Sequence, residues 1–157
     1  MIDYVKSDHL PTILANNEQY VHWLAPLDME GLEKLISEAR YVRQIGDGTG
    51  VLIGFTSDSA KQSENLSWLR KAFDNFVYID RVIIGETAQG KGYGRALYED
   101  FEAFARENNY ARMVCEVNTI PNNPVSHKFH TTLGFEPCGE MDMAKGKKRV
   151  RYYEKLL

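Results

Sequence analysis

The stretch that decides the fold is "ETAQGKGYGRALYEDFEAFARE", residues 86–107. In it, Gly90, Gly92 and Gly94 stand at alternate positions before a run whose apolar side chains recur at helical spacing: Leu97, Phe101, Phe104 and Ala105. Glycine lets backbone N–H groups approach an anion without obstruction by a Cβ, and a helix N-terminus adds partial positive charge. The stretch therefore indicates a phosphate-binding turn followed by an amphipathic helix.

Length and composition limit the classes of protein to which the chain can belong. It has 157 residues, of which 43% are hydrophobic and 26% charged, as expected for a single globular domain spanning residues 1–157. Its net charge of −3 gives no general attraction for nucleic acid or for an anionic membrane. It also has no apolar run of about 20 residues, the length that a membrane-spanning helix needs. We expect a cytoplasmic protein that binds neither nucleic acid nor membrane.

The cysteines and histidines give no sign of a metal site. Cys115 and Cys138 are isolated, without a CxxC pair, so we expect reduced thiols rather than a disulfide framework. His127 and His130 lie three positions apart, but no third ligand stands at a useful spacing. The sequence therefore predicts no metal.

Strand and helix patterns alternate along the whole chain, and the most strand-like run is "FVYIDRVIIGE", residues 76–86. Before it we predict a short strand at residues 2–5, helices at 10–24 and 28–42, and a hairpin at 46–48 that leads into a strand at 50–55. We also predict a polar insertion loop at 56–75, with a short helix-like piece at Trp68 and Leu69. After the glycine helix we predict a strand, a short helix and two more strands, at 112–117, from 124, and on either side of 146. These elements predict a mixed α/β fold with antiparallel strands early and late.

Two common phosphate-binding turns do not fit the glycine pattern. A P-loop needs Ser or Thr directly after its lysine, whereas Lys91 is followed by Gly92. The dinucleotide fingerprint G-x-G-x-x-G needs a third glycine, but Arg95 or Leu97 stands at that position, depending on the register. A different phosphate-binding fold is therefore indicated.

The pattern that does fit is Q-x-x-G-x-G, formed by Gln89, Gly92 and Gly94 between a strand and a helix. Downstream, "NPVSHKFHTTLGF" matches N-x-x-A-x-x-L-Y-x-x-x-G-F in register, through Asn123, Ser126, Phe129, His130, Gly134 and Phe135. With both motifs in this order, the chain resembles the GNAT superfamily of acyl-CoA-dependent N-acetyltransferases. The resemblance implies a GNAT-like fold, with a central, mostly antiparallel sheet flanked by helices, and acetyl-CoA as co-substrate.

The resemblance also implies which residues bind coenzyme A. The central strand is expected to splay at Ile83 and Ile84, so that its backbone pairs with pantetheine and a nearby N–H serves as oxyanion donor. The turn from Gly90 to Arg95 is expected to hold the pyrophosphate. Lys91 and Arg95 either contact phosphate or are solvated charges of the first helical turn. The complete predicted set is Val82, Ile83, Ile84, Gln89, Gly90, Lys91, Gly92, Tyr93, Gly94, Arg95, Asn123 and Phe129.

Acyl transfer to an amine requires a base, because a free alkylammonium has a pKa of about 10.4. Glu116 stands in a strand position where some members of the superfamily carry a glutamate base, and a carboxylate in an apolar strand needs a reason. Asp80, on the central strand, is the other candidate. For Asp80 an ion pair with Arg81 is the alternative.

His130 departs from the superfamily, which usually has tyrosine there as general acid for the thiolate of coenzyme A. Histidine could donate through a water or as a neutral N–H group, or the proton could come from the substrate amine. Because Val125, Phe129 and Leu133 are predicted to form the apolar stripe of this helix, we expect His130 to face the edge of the cleft rather than the core.

The sequence thus predicts an N-acetyltransferase that transfers the acetyl group of acetyl-CoA to a primary amine of a small molecule or protein. Two alternatives stay open: an enzyme with a different acyl-CoA, and a CoA-binding or regulatory module without turnover. The acceptor is not readable, since it is expected to contact the early helices and the 56–75 segment. A homodimer is also left open.

Overall fold

The computed structural model describes all 157 residues as one seven-stranded sheet with helices on both faces. The strands are β1 (Asp3–Tyr4), β2 (Tyr41–Ile45), β3 (Gly50–Thr56), β4 (Val77–Ile84), β5 (Arg112–Ile120), β6 (Glu136–Met143) and β7 (Lys148–Leu156). Their order in the sheet is β1-β2-β3-β4-β5-β7-β6. Only β4 and β5 pair in parallel, and every other neighbouring pair is antiparallel. The predicted fold class, mixed α/β with a mostly antiparallel central sheet, is confirmed.

Five α-helices cover the sheet: α1 (Leu10–Glu18), α2 (Met29–Glu38), α3 (Glu64–Ala72), α4 (Tyr93–Glu107) and α5 (Pro124–Thr132). Helices α1, α2 and α3 contribute to one apolar core, and α4 packs its stripe into a second core across the sheet. Successive strand residues alternate between these cores, as a pleated strand requires. No helix has the length and apolar character needed to cross a membrane.

Several predicted boundaries were wrong. Helix α1 ends at Glu18, and β6 begins at Glu136 rather than near residue 140. Tyr41, assigned to a helix from the sequence, begins β2, because it pairs with Gly54 in the β2–β3 hairpin. The expected insertion loop contains α3, which is capped by the Ser63 side chain and buries two leucines, Leu66 and Leu69. The helix-like piece predicted at Trp68 and Leu69 is part of this helix, which is longer than expected.

The parallel strands β4 and β5 separate soon after they begin. They pair only through Val77 with Met113 and through Tyr78 with Val114, whereas β4 stays paired with β3 as far as Ile84. The divergence therefore begins several residues before the predicted point at Ile83. The β3–β4 register also shifts at Asp80, which has no partner in β3. As a result, a wedge-shaped cleft opens between the two central strands.

Candidate active site

The cleft between β4 and β5 contains a cavity of about 430 Å³. One end is formed by the turn from Gln89 to Arg95, here called the glycine end. The other is lined by Asp80, Glu116 and Lys148, here called the carboxylate end. The splayed strands thus connect a backbone turn with a group of charged side chains.

The glycine end has the shape of an anion cradle. Gly90 and Gly92 have φ angles of +80° and +78°, a conformation that disfavours other residues. A Cβ added to either would meet no atom within 4 Å, so the space beside them is open. Gly92 is also the N-cap of α4 and offers no capping side chain, which leaves the first N–H groups of the helix available. These features fit the diphosphate of a nucleotide cofactor such as coenzyme A.

Gly94 has a different reason to be glycine. A Cβ at this position would lie 3.2 Å from Cζ of Phe129, so its absence lets α5 pack closely against α4. At Gly94 the missing Cβ thus serves helix packing, whereas at Gly90 and Gly92 the space beside the backbone is open. Gly94 and Phe129 nonetheless both line the cavity.

Gln89 forms part of a hydrogen-bonded clamp on the end of β4. Its Nε2 donates to the hydroxyl of Tyr20 at 2.6 Å, and that hydroxyl donates to the carbonyl of Ile84 at 2.5 Å. On the other side of β4, the N–H of Gly85 donates to the carbonyl of Thr49. Because peptide groups alternate along a strand, those of Val82 and Ile84 face the cleft and that of Ile83 faces β3. Tyr20 was not predicted, since it lies 64 residues before Ile84.

Most of the predicted cofactor residues line this cavity: Val82, Ile84, Gln89, Gly90, Gly92, Tyr93, Gly94, Arg95, Asn123 and Phe129. Two do not. The side chain of Ile83 is buried in the core formed with α1 and α2, and the ammonium of Lys91 lies 5.9 Å from the Tyr93 ring centroid. Arg95 pairs with Glu99 at 3.5 Å on the exposed face of α4, and the side chain of Asn123 caps α5.

Glu116 has one satisfied and one free carboxyl oxygen. Its Oε1 accepts hydrogen bonds from Asn65 Nδ2 and from the Tyr78 hydroxyl, both at 2.9 Å. Its Oε2 is buried and has no partner. Burial, followed by the negative charge of Asp80, raises the pKa of Glu116 to about 8. This carboxyl group can therefore accept a proton near neutral pH, and its free oxygen belongs to a residue of the cavity wall.

Asp80 forms the ion pair that the sequence left open as an alternative. Its Oδ2 lies 3.1 Å from Nε of Arg81, and both side chains are largely buried. Arg81 in turn donates to Oδ1 of Asn17 at 2.9 Å and to the carbonyl of Ala25 at 3.3 Å. Asp80 is thus part of a network that holds the segment after α1 against β4, and its charge acts on Glu116.

His130 lines the cavity, but it is buried, which contradicts the expectation that it faces the cleft edge rather than the core. Its side chain is 3% exposed, whereas Val125, assigned to the apolar stripe, is 79% exposed. The face of α5 that turns inward instead carries Ser126, Phe129, His130 and Leu133, a spacing of i, i+3, i+4 and i+7. A serine at the first of these positions concealed the stripe.

The hydrogen bonds of His130 define its protonation state. Nδ1 lies 2.7 Å from the carbonyl oxygen of Ser126, which can only accept, so Nδ1 carries the proton. Burial lowers the pKa of His130 to about 4, so the ring is neutral at physiological pH. Nε2 must then accept a hydrogen bond from the hydroxyl of Tyr98, 2.7 Å away. An imidazolium acid is therefore not available here.

His127 connects α5 to the sheet. Its two ring nitrogens lie 2.6 Å from the Tyr153 hydroxyl and 3.0 Å from the carbonyl of Asn118. No cluster of three or more His, Cys, Asp or Glu side chains is placed to hold a metal ion.

The residues of the cavity wall that were not predicted from the sequence include Tyr20, Trp23, Tyr98 and Lys148. Tyr98 alone had a local signal, because it lies four positions after Gly94, one turn along the same helix. Trp23 donates from its indole N–H to the carbonyl of Asn122 at 3.2 Å, across the cleft mouth. The others come from distant segments that only the fold brings together.

Similar structures have this architecture. A ribosomal-protein-alanine N-acetyltransferase from Brucella melitensis aligns with a TM-score of 0.76 and 20% identity, covering 100% of this chain and 99% of that one. A ribosomal-protein-S18-alanine N-acetyltransferase from Escherichia coli aligns with a TM-score of 0.70 and 15% identity, covering 99% of this chain and 92% of that one. The structure of yncA from Salmonella typhimurium, solved with its cofactor acetyl-CoA, aligns with a TM-score of 0.68 and 18% identity, covering 99% of this chain and 92% of that one. At these identities the likeness shows the fold.

The sequence itself supplies the family. A comparison with curated proteins gave no match. The profile of the acetyltransferase (GNAT) family, however, matches residues 13–135, which include β4, the glycine end, Glu116 and α5. The chain therefore belongs to the GNAT acetyltransferase family.

Proposed function

We propose that this protein is an N-acetyltransferase that transfers the acetyl group of acetyl-CoA to a primary amine. The observation that carries the proposal is the buried, unpartnered Oε2 of Glu116, a residue that lines the same cavity as the glycine end. A buried polar atom without a partner is costly, and a substrate amine that fills the cavity would supply the missing hydrogen bond.

In this proposal the glycine end binds the diphosphate of acetyl-CoA through N–H groups of the turn and of α4. The peptide groups of Val82 and Ile84 that face the cleft are available to the pantetheine arm. The Ile84 carbonyl accepts a hydrogen bond from the Tyr20 hydroxyl, so Tyr20 would share or release this acceptor when the pantetheine arm binds.

Glu116 is assigned the role of base, either directly or through a water. The amine nitrogen attacks the thioester carbonyl carbon, the C–S bond breaks, and an amide forms. The proton lost by the amine goes to Glu116, and the departing thiolate takes up one proton. A backbone N–H of the cleft-facing edge of β4 would stabilise the oxyanion.

His130 is assigned a positioning role rather than that of the acid. Because its neutral ring accepts the O–H of Tyr98, it fixes the orientation of the hydroxyl that lines the cavity. The thiolate proton then comes from the substrate amine or from a water, because the single O–H of Tyr98 is donated to His130.

The proposal is tested by measuring free-thiol release from acetyl-CoA with a panel of amines, for the wild type and for Glu116→Gln. Gln keeps an acceptor for Asn65 and Tyr78 but cannot take a proton. Amine-dependent thiol release that falls at least about 100-fold in the variant, at unchanged acetyl-CoA affinity, supports the proposal.

Other results would point to other functions. Acetyl-CoA binding without thiol release for any amine would indicate a CoA-binding module. Faster release from propionyl-CoA or a longer acyl-CoA would indicate a different donor.

A further inference from the structure

The carboxylate end contains one cation whose charge is not neutralised. Lys148, the first residue of β7, lines the cavity, and its side-chain ammonium forms no hydrogen bond and no ion pair. Its charge lowers the pKa of Glu116, against the larger upward effects of burial and Asp80, so the ammonium is within electrostatic range of the carboxyl group. The next arginine, Arg149, differs because it pairs with Asp142 at 2.9 Å and with Glu140 at 3.6 Å.

The remaining charges around Lys148 balance each other. Asp80 is paired with Arg81. Burial and the charge of Asp80 raise the pKa of Glu116 to about 8, which favours its neutral form near pH 7. Lys148 is therefore the one charge at the carboxylate end that has no ion-pair partner. A group that carries negative charge would be favoured beside Lys148, whereas a second cationic centre on the acceptor would be repelled.

Sheet geometry places Lys148 and Glu116 on the same face. Glu116 pairs with Tyr152, and Asn118 pairs with Val150, in the β5–β7 ladder. Tyr152 and Val150 are both in the core on the α1, α2 and α3 face, and Lys148 follows the same alternation two positions before Val150. Lys148 and Glu116 thus lie on the same face of the sheet, and Lys148 is two pleat periods along β7 from Tyr152, the partner of Glu116.

The entrance on this side is bridged. The turn that contains Trp23 follows α1, which lies against β4, whereas Asn122 follows β5, so their hydrogen bond joins the two walls of the cleft. Tyr20 and Arg81 fasten the same segment to β4. A bridged opening of this kind suits a small acceptor better than a segment of a folded protein.

We infer that the acceptor is a small amine that also carries a carboxylate, an amino acid, with its amine at Glu116 and its carboxylate at Lys148. This inference rests on the proposed function and adds the substrate class. An amino acid satisfies both unpartnered groups at once, the Oε2 of Glu116 and the ammonium of Lys148.

The test compares each of the twenty L-amino acids with its own carboxamide, together with a diamine and short peptides, in the thiol-release assay. At least one amino acid is expected to have a kcat/KM at least about tenfold higher than its amide, the scale of one partly exposed charge pair. In Lys148→Met, the ratio of kcat/KM for that amino acid to kcat/KM for its amide should fall about tenfold, because any change in the ionisation of Glu116 affects both substrates alike.

Two variants serve as controls. Lys147→Met removes the neighbouring exposed charge outside the cavity and should leave the preference unaltered. Lys148→Arg keeps the charge and should retain the preference even if Lys148→Met folds poorly. If amides, diamines or peptides are acetylated as well as the acids, the inference is overturned while the proposed function stands. If no amine releases thiol, the proposed function itself fails.

Discussion

At the glycine end of the cleft, Gly90 and Gly92 shape the site from a single turn, whereas at the carboxylate end Glu116 is held by Asn65 and Tyr78 from two other elements. The first region works through backbone N–H groups and open space. The second works through the burial of a carboxyl group and through hydrogen bonds to only one of its oxygens. Binding of a common cofactor and selection of an acceptor are therefore built in different ways.

This difference has a chemical consequence. A turn with positive φ angles gives the same cradle in any protein that contains it, because backbone groups do not depend on neighbouring side chains. The protonation of Glu116 depends instead on its surroundings, since burial and Asp80 raise its pKa to about 8. Changes at the two ends should consequently separate cofactor binding from turnover.

The largest expected effect is at the carboxylate end. In Glu116→Gln, turnover should fall about 100-fold or more, because no group remains to accept the amine proton. In the wild type, kcat/KM should rise with pH and level off above about 8, as the carboxyl group ionises. This rise of kcat/KM with pH, here called the pH limb, should be missing in Glu116→Gln when both proteins are assayed with the same acceptor amine. An equal loss in Asp80→Asn, with Glu116→Gln active, would move the base to β4.

The next effect concerns stability. His130→Ala should lower the free energy of unfolding by about 2–3 kcal/mol, because it leaves a cavity and removes the partners of Tyr98 and Ser126. His22→Ala, at an exposed position, should change it little. Denaturant melts provide the measurement. If His130→Ala is as stable as the wild type, His130 is not buried in the folded protein.

The same histidine predicts a pH dependence of stability. Its pKa is about 4 in the folded protein and about 6.5 when unfolded, so the unfolded state binds more protons between these values. The contribution of His130 is therefore fully present above pH 6.5 and is lost as the pH falls toward 4. Glu116, with its raised pKa, has the opposite slope from about 8 down to about 4.5. Denaturant melts of His130→Gln and Glu116→Gln across this range should separate the two.

A smaller effect is expected at the glycine end. Gly92→Val should weaken acetyl-CoA binding by more than about tenfold, near 1.4 kcal/mol, because a branched side chain would fill the cradle. Gly146→Val is the matched control: Gly146 also has a positive φ angle and open space around its missing Cβ, but it lies outside the cavity. Both variants are strained, and only the first should lose affinity in a calorimetric titration. If Gly92→Val and Gly146→Val bind acetyl-CoA with equal affinity, the turn at Gly92 is not part of the binding site.

The smallest effect refines the carboxylate end. Asn65→Ala removes one donor to Oε1 of Glu116, which disfavours the ionised form and should shift the pH limb of kcat/KM to higher pH. Turnover above the limb should change only a few fold. Ser67→Ala, on the exposed face of the same helix, should leave the limb in place. An unshifted limb in Asn65→Ala would mean that the Tyr78 hydroxyl alone positions the carboxyl group.

The comparison also shows which parts of the site could be read from the sequence. Gln89, Gly92 and Gly94 stand within six consecutive residues, so their spacing was visible without any fold. Glu116 was noticed because it interrupts an apolar strand. Asn65, by contrast, lay in a segment assigned to a loop, and Lys148 lay in a basic run without a distinguishing pattern. Neither residue carries a local signal of its contact with the cavity.

The sequence by itself determined the order of strands and helices, the turn with its glycines, and the resemblance to the GNAT superfamily, because these depend on local backbone preference and short-range spacing. Only the tertiary structure decided that Asp80 pairs with Arg81, that His130 is buried and neutral, and that Glu116 has one free oxygen. These properties arise from burial and from partners such as Tyr98 and Asn65 on other elements. Solvent exclusion at a point where several segments meet is a property of the packed chain, which no single segment contains.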